Sequence, residues 1–91
     1  MKYDIQRTSR FKKDYKLAVK RGCDPKLLMD VIGLLSNGEK LPEKYNDHSL
    51  TGNYVGYREC HVQPDWLLVY KITESALILT LYRTGTHSDL F

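Results

Sequence analysis

Three strand-like runs fill the second half of the chain, at residues 54–62, 66–72 and 76–83, with only three residues between each and the next. Connections that short close antiparallel hairpins; a parallel crossover takes a dozen residues or more. This half is therefore committed to a three-stranded meander, turned at Gln63-Pro64-Asp65 and at Thr73-Glu74-Ser75. The last two runs carry Leu, Val and Ile on both faces, as central strands do.

The first half obeys a different period. Tyr3 and Ile5 alternate with Lys2, Asp4 and Gln6, which predicts a short half-buried strand over 2–7. Thr8 or Ser9 then offers a capping hydroxyl, and Phe11, Tyr15, Ala18 and Val19 recur at helical spacing up to Gly22. Asp24 caps a second helix, with Pro25 in its first turn, where a missing N–H costs nothing. Leu28, Val31, Ile32 and Leu35 form its buried stripe, and Gly38 ends it. Residues 39–52 lack either period and read as a loop, and residues 86–91 as a short tail. The predicted class is α+β: a small, mainly antiparallel sheet in the order β-α-α-β-β-β, with both helices on one face and the other face open.

Ninety-one residues are enough for one domain, expected to span 1–91. No apolar run reaches the 18–20 residues of a membrane-spanning helix, and no signal peptide opens the chain, so no membrane partner is expected. Cys23 and Cys60 suit neither a disulfide scaffold nor a CxxC metal knuckle, which points to a reduced, cytoplasmic chain.

The net charge of +3 is unevenly distributed. Residues 1–26 carry nine Lys or Arg against three Asp, a balance of +6, and the remainder stands at −3. Arg10, Lys12, Lys13, Lys16 and Lys20 fall mainly away from the apolar stripe of the first helix. Such a face suits a polyanion, although it also suits a merely solvated helix.

All three histidines, His48, His61 and His87, lie in the second half, each in a turn or beside a strand end. His61 and Asp65 flank the same turn, and Arg83 closes the last strand. Cleavage of an RNA backbone needs these parts. A base takes the 2′-hydroxyl proton, an acid protonates the departing 5′-oxygen, and a fixed cation steadies charge on the phosphoryl oxygens. Imidazole serves as acid or base near neutrality, arginine grips phosphate through paired donors, and an aromatic ring can hold an unstacked base. Taken singly, each residue also has a structural reading: His48 bonded in its loop, Asp65 an ordinary turn residue, Trp66 in the core. A zinc site is disfavoured because Cys60 and His61, adjacent in a strand, point to opposite faces. No phosphate-binding glycine loop is present.

Three strings go further. DHxLxG at 47–52, RxxHxxPDWLLxY at 58–70 and RTGTHxxLF at 83–91 together resemble YafQ-like toxins of the RelE/ParE superfamily, and the resemblance runs the length of the chain. It implies a RelE-like fold and a ribosome-dependent mRNA interferase that cuts messages in the ribosomal A site without metal or organic cofactor. It also implies a cognate antitoxin, typically a ribbon-helix-helix DNA-binding protein, with operator DNA bound only through the toxin–antitoxin pair. Carried over by position, the catalytic set is His48, His61, Asp65, Arg83 and His87, with Trp66, Phe91 and Arg58 as substrate contacts. His87 is the expected acid, Asp65 or His61 the base with His48 in support, and Arg83 the phosphate cation. Arg10, Lys12, Lys13, Lys16 and Lys20 would face ribosomal RNA. The rival readings are a ParE-like topoisomerase-inhibiting toxin and a non-catalytic RNA-binding module.

Overall fold

Five strands form one sheet in a computed structural model that describes residues 1–91. In chain order they are β1 (Asp4–Arg7), β2 (His48–Ser49), β3 (Arg58–Gln63), β4 (Trp66–Thr73) and β5 (Ile78–Gly85). The spatial order is β1-β5-β4-β3-β2. The meander pairs antiparallel as expected, whereas β1 lies parallel to β5, with Asp4 opposite Ile78 and Arg7 opposite Leu81. Beyond Leu81, the β1-side edge of β5 has no strand partner, and helix α1 (Ser9–Lys20) packs on β5 there. Thr8 caps α1 by accepting the Phe11 N–H at 3.0 Å, while its hydroxyl donates to the Tyr82 carbonyl at 2.7 Å. Helix α2 (Pro25–Ser36) starts from Asp24, which accepts the Lys26 N–H. Between the helices Gly22 adopts φ +92°, a value side-chain-bearing residues rarely reach.

Both helices cover one face. Phe11 and Ala18 of α1 and Leu28, Val31, Ile32 and Leu35 of α2 pack with Cys60, Val62, Trp66, Leu68, Tyr70, Leu79 and Leu81 of the sheet. Val19, expected on this stripe, is 42% exposed: one step past Ala18 turns its side chain about 100° away from the sheet. The opposite face is not open as expected. Leu67 and Val69 form a second buried cluster there with Leu90, over which Leu50, Tyr57 and Tyr82 close.

Three further segments depart from the sequence reading. The 39–52 loop contains a 3-10 turn at Glu43–Tyr45 and the two-residue strand β2. Pairing of the first meander strand begins only at Arg58, because Gly52–Tyr54 winds into another 3-10 turn. The tail is a one-turn helix, α3 (His87–Leu90), held by a capping box in which Thr86 accepts the Asp89 N–H and Asp89 accepts the Thr86 N–H. A register slip between Val69 and Tyr70 leaves Tyr82 without a partner, so Leu81 and Thr84 both face the helices while Tyr82 joins the other side.

Candidate active site

Some of the residues singled out from sequence lie on the sheet face opposite the helices, in two groups. The first is built by β2 and β3. His48 stands opposite Glu59 across the ladder, and Glu59 and His61, two residues apart, point the same way. Glu59 Oε1 lies 3.5 Å from His48 Nε2 and 3.6 Å from His61 Nε2, and the two imidazole centroids are 6.4 Å apart. Only 3% of Glu59 is exposed. A buried carboxylate demands partners, and the two rings lie within ion-pair distance of it, outside hydrogen-bond geometry. Sequence reasoning missed Glu59, although strand alternation already placed it beside His61.

β2 is held in place from the helix side. The Tyr70 hydroxyl donates to Asp47 Oδ1 at 2.5 Å, and Arg58 donates to Asp47 Oδ2 from Nη2 at 3.0 Å and to the Ser49 hydroxyl from Nη1 at 2.8 Å. Burial, with the Asp47 hydrogen bond added, pushes the Tyr70 hydroxyl far above its ordinary range and keeps it a donor. Arg58, expected to touch substrate, is thereby a tether of the segment that carries His48: its donors are engaged at Asp47 and Ser49.

The second group sits where the β3–β4 turn meets α3. Asp65 Oδ1 accepts the His87 backbone N–H at 3.3 Å, and the His61 ring approaches the neighbouring Pro64 carbonyl through Nδ1 at 3.4 Å. The His87 and Phe91 rings are 5.6 Å apart, and Phe91 meets Tyr54 edge-on at 5.3 Å. His48, His61, Asp65, His87 and Phe91 thus follow one another around the Leu67–Val69–Leu90 cluster.

Arg83 and Trp66 are placed otherwise than expected. Arg83 donates from Nε and Nη2 to Asp14 of α1, at 2.9 and 3.0 Å. That bond holds the guanidinium charged against the effect of burial, with smaller contributions from Asp14 charge and from Tyr54 and Tyr82 beside it. Its Nη1 takes no part in these bonds, and 15% of the side chain is exposed. Trp66, expected to position a base, is only 4% exposed and donates its indole N–H to the Thr84 hydroxyl at 2.9 Å. It is a core residue because the even positions of β4 face the helices. Arg10, Lys12, Lys13, Lys16 and Lys20 are all exposed. No group of three or more His, Cys, Asp or Glu side chains is arranged to hold a metal ion.

Imidazoles beside a carboxylate, and a second carboxylate joined to the backbone of a third histidine, are groups that can move protons to and from a phosphodiester, and the exposed cations of α1 suit a polyanion. The family model for the bacterial toxin YafQ of type II toxin–antitoxin systems matches residues 3–91. The mRNA interferase toxin YafQ of Escherichia coli K12 is 46% identical over 89 residues, covering 97% of this chain and 95% of that protein. The crystal structure of YafQ from E. coli BL21(DE3) superimposes with a TM-score of 0.92 at 44% identity over 98% of both chains. In the E. coli DinJ-YafQ toxin–antitoxin complex the toxin is 44% identical with a TM-score of 0.89, over 100% of this chain and 99% of that one. A metal-bound toxin from Helicobacter pylori is 46% identical with a TM-score of 0.92, over 98% and 99%. The chain belongs to the YafQ family of type II toxins.

Proposed function

We propose that this protein is an endoribonuclease that cuts mRNA on translating ribosomes by proton transfer between its own side chains. The observation that supports this most is the hydrogen bond from the His87 backbone N–H to Asp65, which ties together two residues 22 positions apart that carry a carboxylate and an imidazole. Asp65 is the better base. Its Oδ2 is uncommitted, whereas His61 presents both ring nitrogens to oxygen acceptors, Pro64 and Glu59. In the proposed step Asp65 takes the 2′-hydroxyl proton. The freed oxygen attacks the adjacent phosphorus to close a 2′,3′-cyclic phosphate, and the 5′-oxygen leaves with a proton from His87. Arg83 steadies phosphoryl charge through its free edge, and Phe91, half exposed beside Tyr54, offers a surface for a base. His48 and His61, backed by the buried Glu59, form an imidazole wall along the path of the message. The exposed lysines of α1 and Arg10 meet ribosomal RNA.

A cognate antitoxin restrains this activity, by analogy with the E. coli DinJ-YafQ pair, and operator DNA is reached only through that complex. No helix is long and apolar enough to cross a membrane, and work on ribosomes places the protein in the cytoplasm.

Primer extension on a message translated in a purified system tests the reading. Wild-type protein should produce discrete, codon-linked cuts. Folded Asp65→Ala and His87→Ala should each cut about 10²-fold more slowly. The cuts should persist with a transition-metal chelator at constant magnesium. Full activity in both variants refutes the roles, and an intact message with blocked topoisomerase establishes the ParE-like alternative.

A further inference from the structure

We infer that Asp14 and Arg21 of the basic helix are positioning residues for the cut, Asp14 acting through Arg83 and Arg21 through Asp89 on His87 and Phe91. Seven residues apart, they lie two turns along one face of α1, since seven steps of 100° return to within about 20° of the start. That face looks toward β5 and α3. Lys12, Lys16 and Lys20 project from the opposite side.

Asp14 takes both near-side donors of Arg83 and, through the same Oδ2, the Thr84 N–H at 3.2 Å. Thr84 lies beyond the end of β1, where β5 keeps β4 on one side but has no strand on the other, so Asp14 satisfies an edge donor that would otherwise be orphaned. Both side chains of the pair are about six-sevenths covered, at 15% and 14% exposed. A carboxylate gripping Nε and Nη2 directs the remaining Nη1 edge outward and fixes the plane of the guanidinium. Arg83 alone could turn through several rotamers; Arg83 on Asp14 has one.

Arg21, at the C-terminal cap of α1, donates from Nη1 to Asp89 Oδ2 at 2.6 Å and from Nη2 to Oδ1 at 3.4 Å. Asp89 is also the capping-box carboxylate of α3, so the helix that carries His87 and ends at Phe91 is tied to α1 by this one side chain. Gly85 permits the close approach: a Cβ there would lie 2.9 Å from Asp89 Oδ2 and 3.1 Å from Asp89 Cβ. The two ion pairs line one cleft of about 160 Å³, together with Asp65 and Trp66. A four-residue helix has no stability of its own, and its hold on α1 sets where the imidazole of His87 stands. The inference rests on the nuclease reading for its catalytic consequence, while the positioning itself is a property of the folded toxin.

The test combines cleavage with NMR of the free protein. In the purified translation system, Asp14→Ala and Arg21→Ala should lower the maximal cutting rate about 10-fold or more and leave the half-saturating ribosome concentration within about twofold. Arg21→Lys should recover much of the loss. Arg21→Ala/Asp89→Ala should cut no more slowly than Asp89→Ala alone, because both changes break the same tie. In 15N-labelled protein, Asp14→Ala should shift and expose the Arg83 Nε–H, and Arg21→Ala should move the His87 and Phe91 ring signals. Where an alanine variant fails to fold, Asp14→Asn and Arg21→Gln give the same two readouts with most of the volume kept. A rate unchanged or raised in Asp14→Ala would mean that Asp14 only neutralises Arg83, and would overturn its part. Unmoved ring signals in Arg21→Ala would overturn the other. A wild type that leaves the message intact would instead refute the nuclease reading, with the NMR result still deciding the positioning.

Discussion

Thr84 is the residue on which the geometry of the site depends most sharply, and replacing it with valine isolates one atom. Its hydroxyl accepts the Trp66 indole N–H at 2.9 Å and donates to the Leu67 carbonyl at 2.7 Å, with 1% of the residue exposed. Valine keeps the shape and removes both bonds. The indole N–H is then buried without a partner, at a cost of about 1–3 kcal/mol, and loss of the second bond adds about 1 kcal/mol. The sum is about 2–4 kcal/mol, lowered somewhat by the extra apolar methyl. For a domain of this length each kcal/mol moves the melting temperature by about 4–8 °C, so Thr84→Val should melt at least 8 °C below wild type. Thr84→Ser is the control. It keeps the hydroxyl and loses one methyl, for about 1 kcal/mol. Denaturant unfolding of the three proteins, followed by tryptophan fluorescence, reads the difference on Trp66 itself. A valine variant as stable as the serine one would show that the hydroxyl contributes nothing. The local consequence should reach function, because Asp65 and Arg83 are the chain neighbours of Trp66 and Thr84.

Two other outcomes follow from groups already described. Glu59→Gln preserves size but replaces the carboxylate that stands 3.5 and 3.6 Å from His48 and His61, so cutting should fall about 10-fold or more in the translation assay. Equal rates would show that Glu59 is only a structural carboxylate. Arg21 and then the Thr86 N–H hold the Asp89 carboxyl down to about 2, from an ordinary 3.8. A depressed value in the folded state contributes stability that is full above pH 4 and disappears as the pH falls toward 2. Wild type should therefore lose more unfolding free energy between pH 4 and 2 than Asp89→Asn does, and equal losses would refute the assignment.

Patterns repeated within a few residues were legible without any structure. The meander, both helices, their caps at Thr8 and Asp24 and the core stripe of α2 rest on local spacing, and local spacing is written directly in the chain. The motif strings also marked most residues of the rim. Contacts closed by residues far apart in sequence were not legible. β2 is two residues long and exists because Asp47 is held by Arg58 and Tyr70; nothing within 39–52 announces it. Trp66 looked like a base-stacking ring until the alternation of β4 turned it inward. The cover over Leu67 and Val69 was missed because Leu50, Tyr57, Tyr82 and Leu90 are apolar at no regular interval.

Sequence by itself determined the two main helices, the first strand and the meander, the family and the identity of most polar groups on the site face, because backbone period and turn chemistry act over a handful of residues. Tertiary structure alone decided how those groups are used: that Glu59 lies between two imidazoles, that Arg83 is held by Asp14 across 69 residues, and that α3 hangs from Arg21. The physical reason is range. A carboxylate chooses its partner by distance and burial, and neither exists until the sheet has brought distant stretches together.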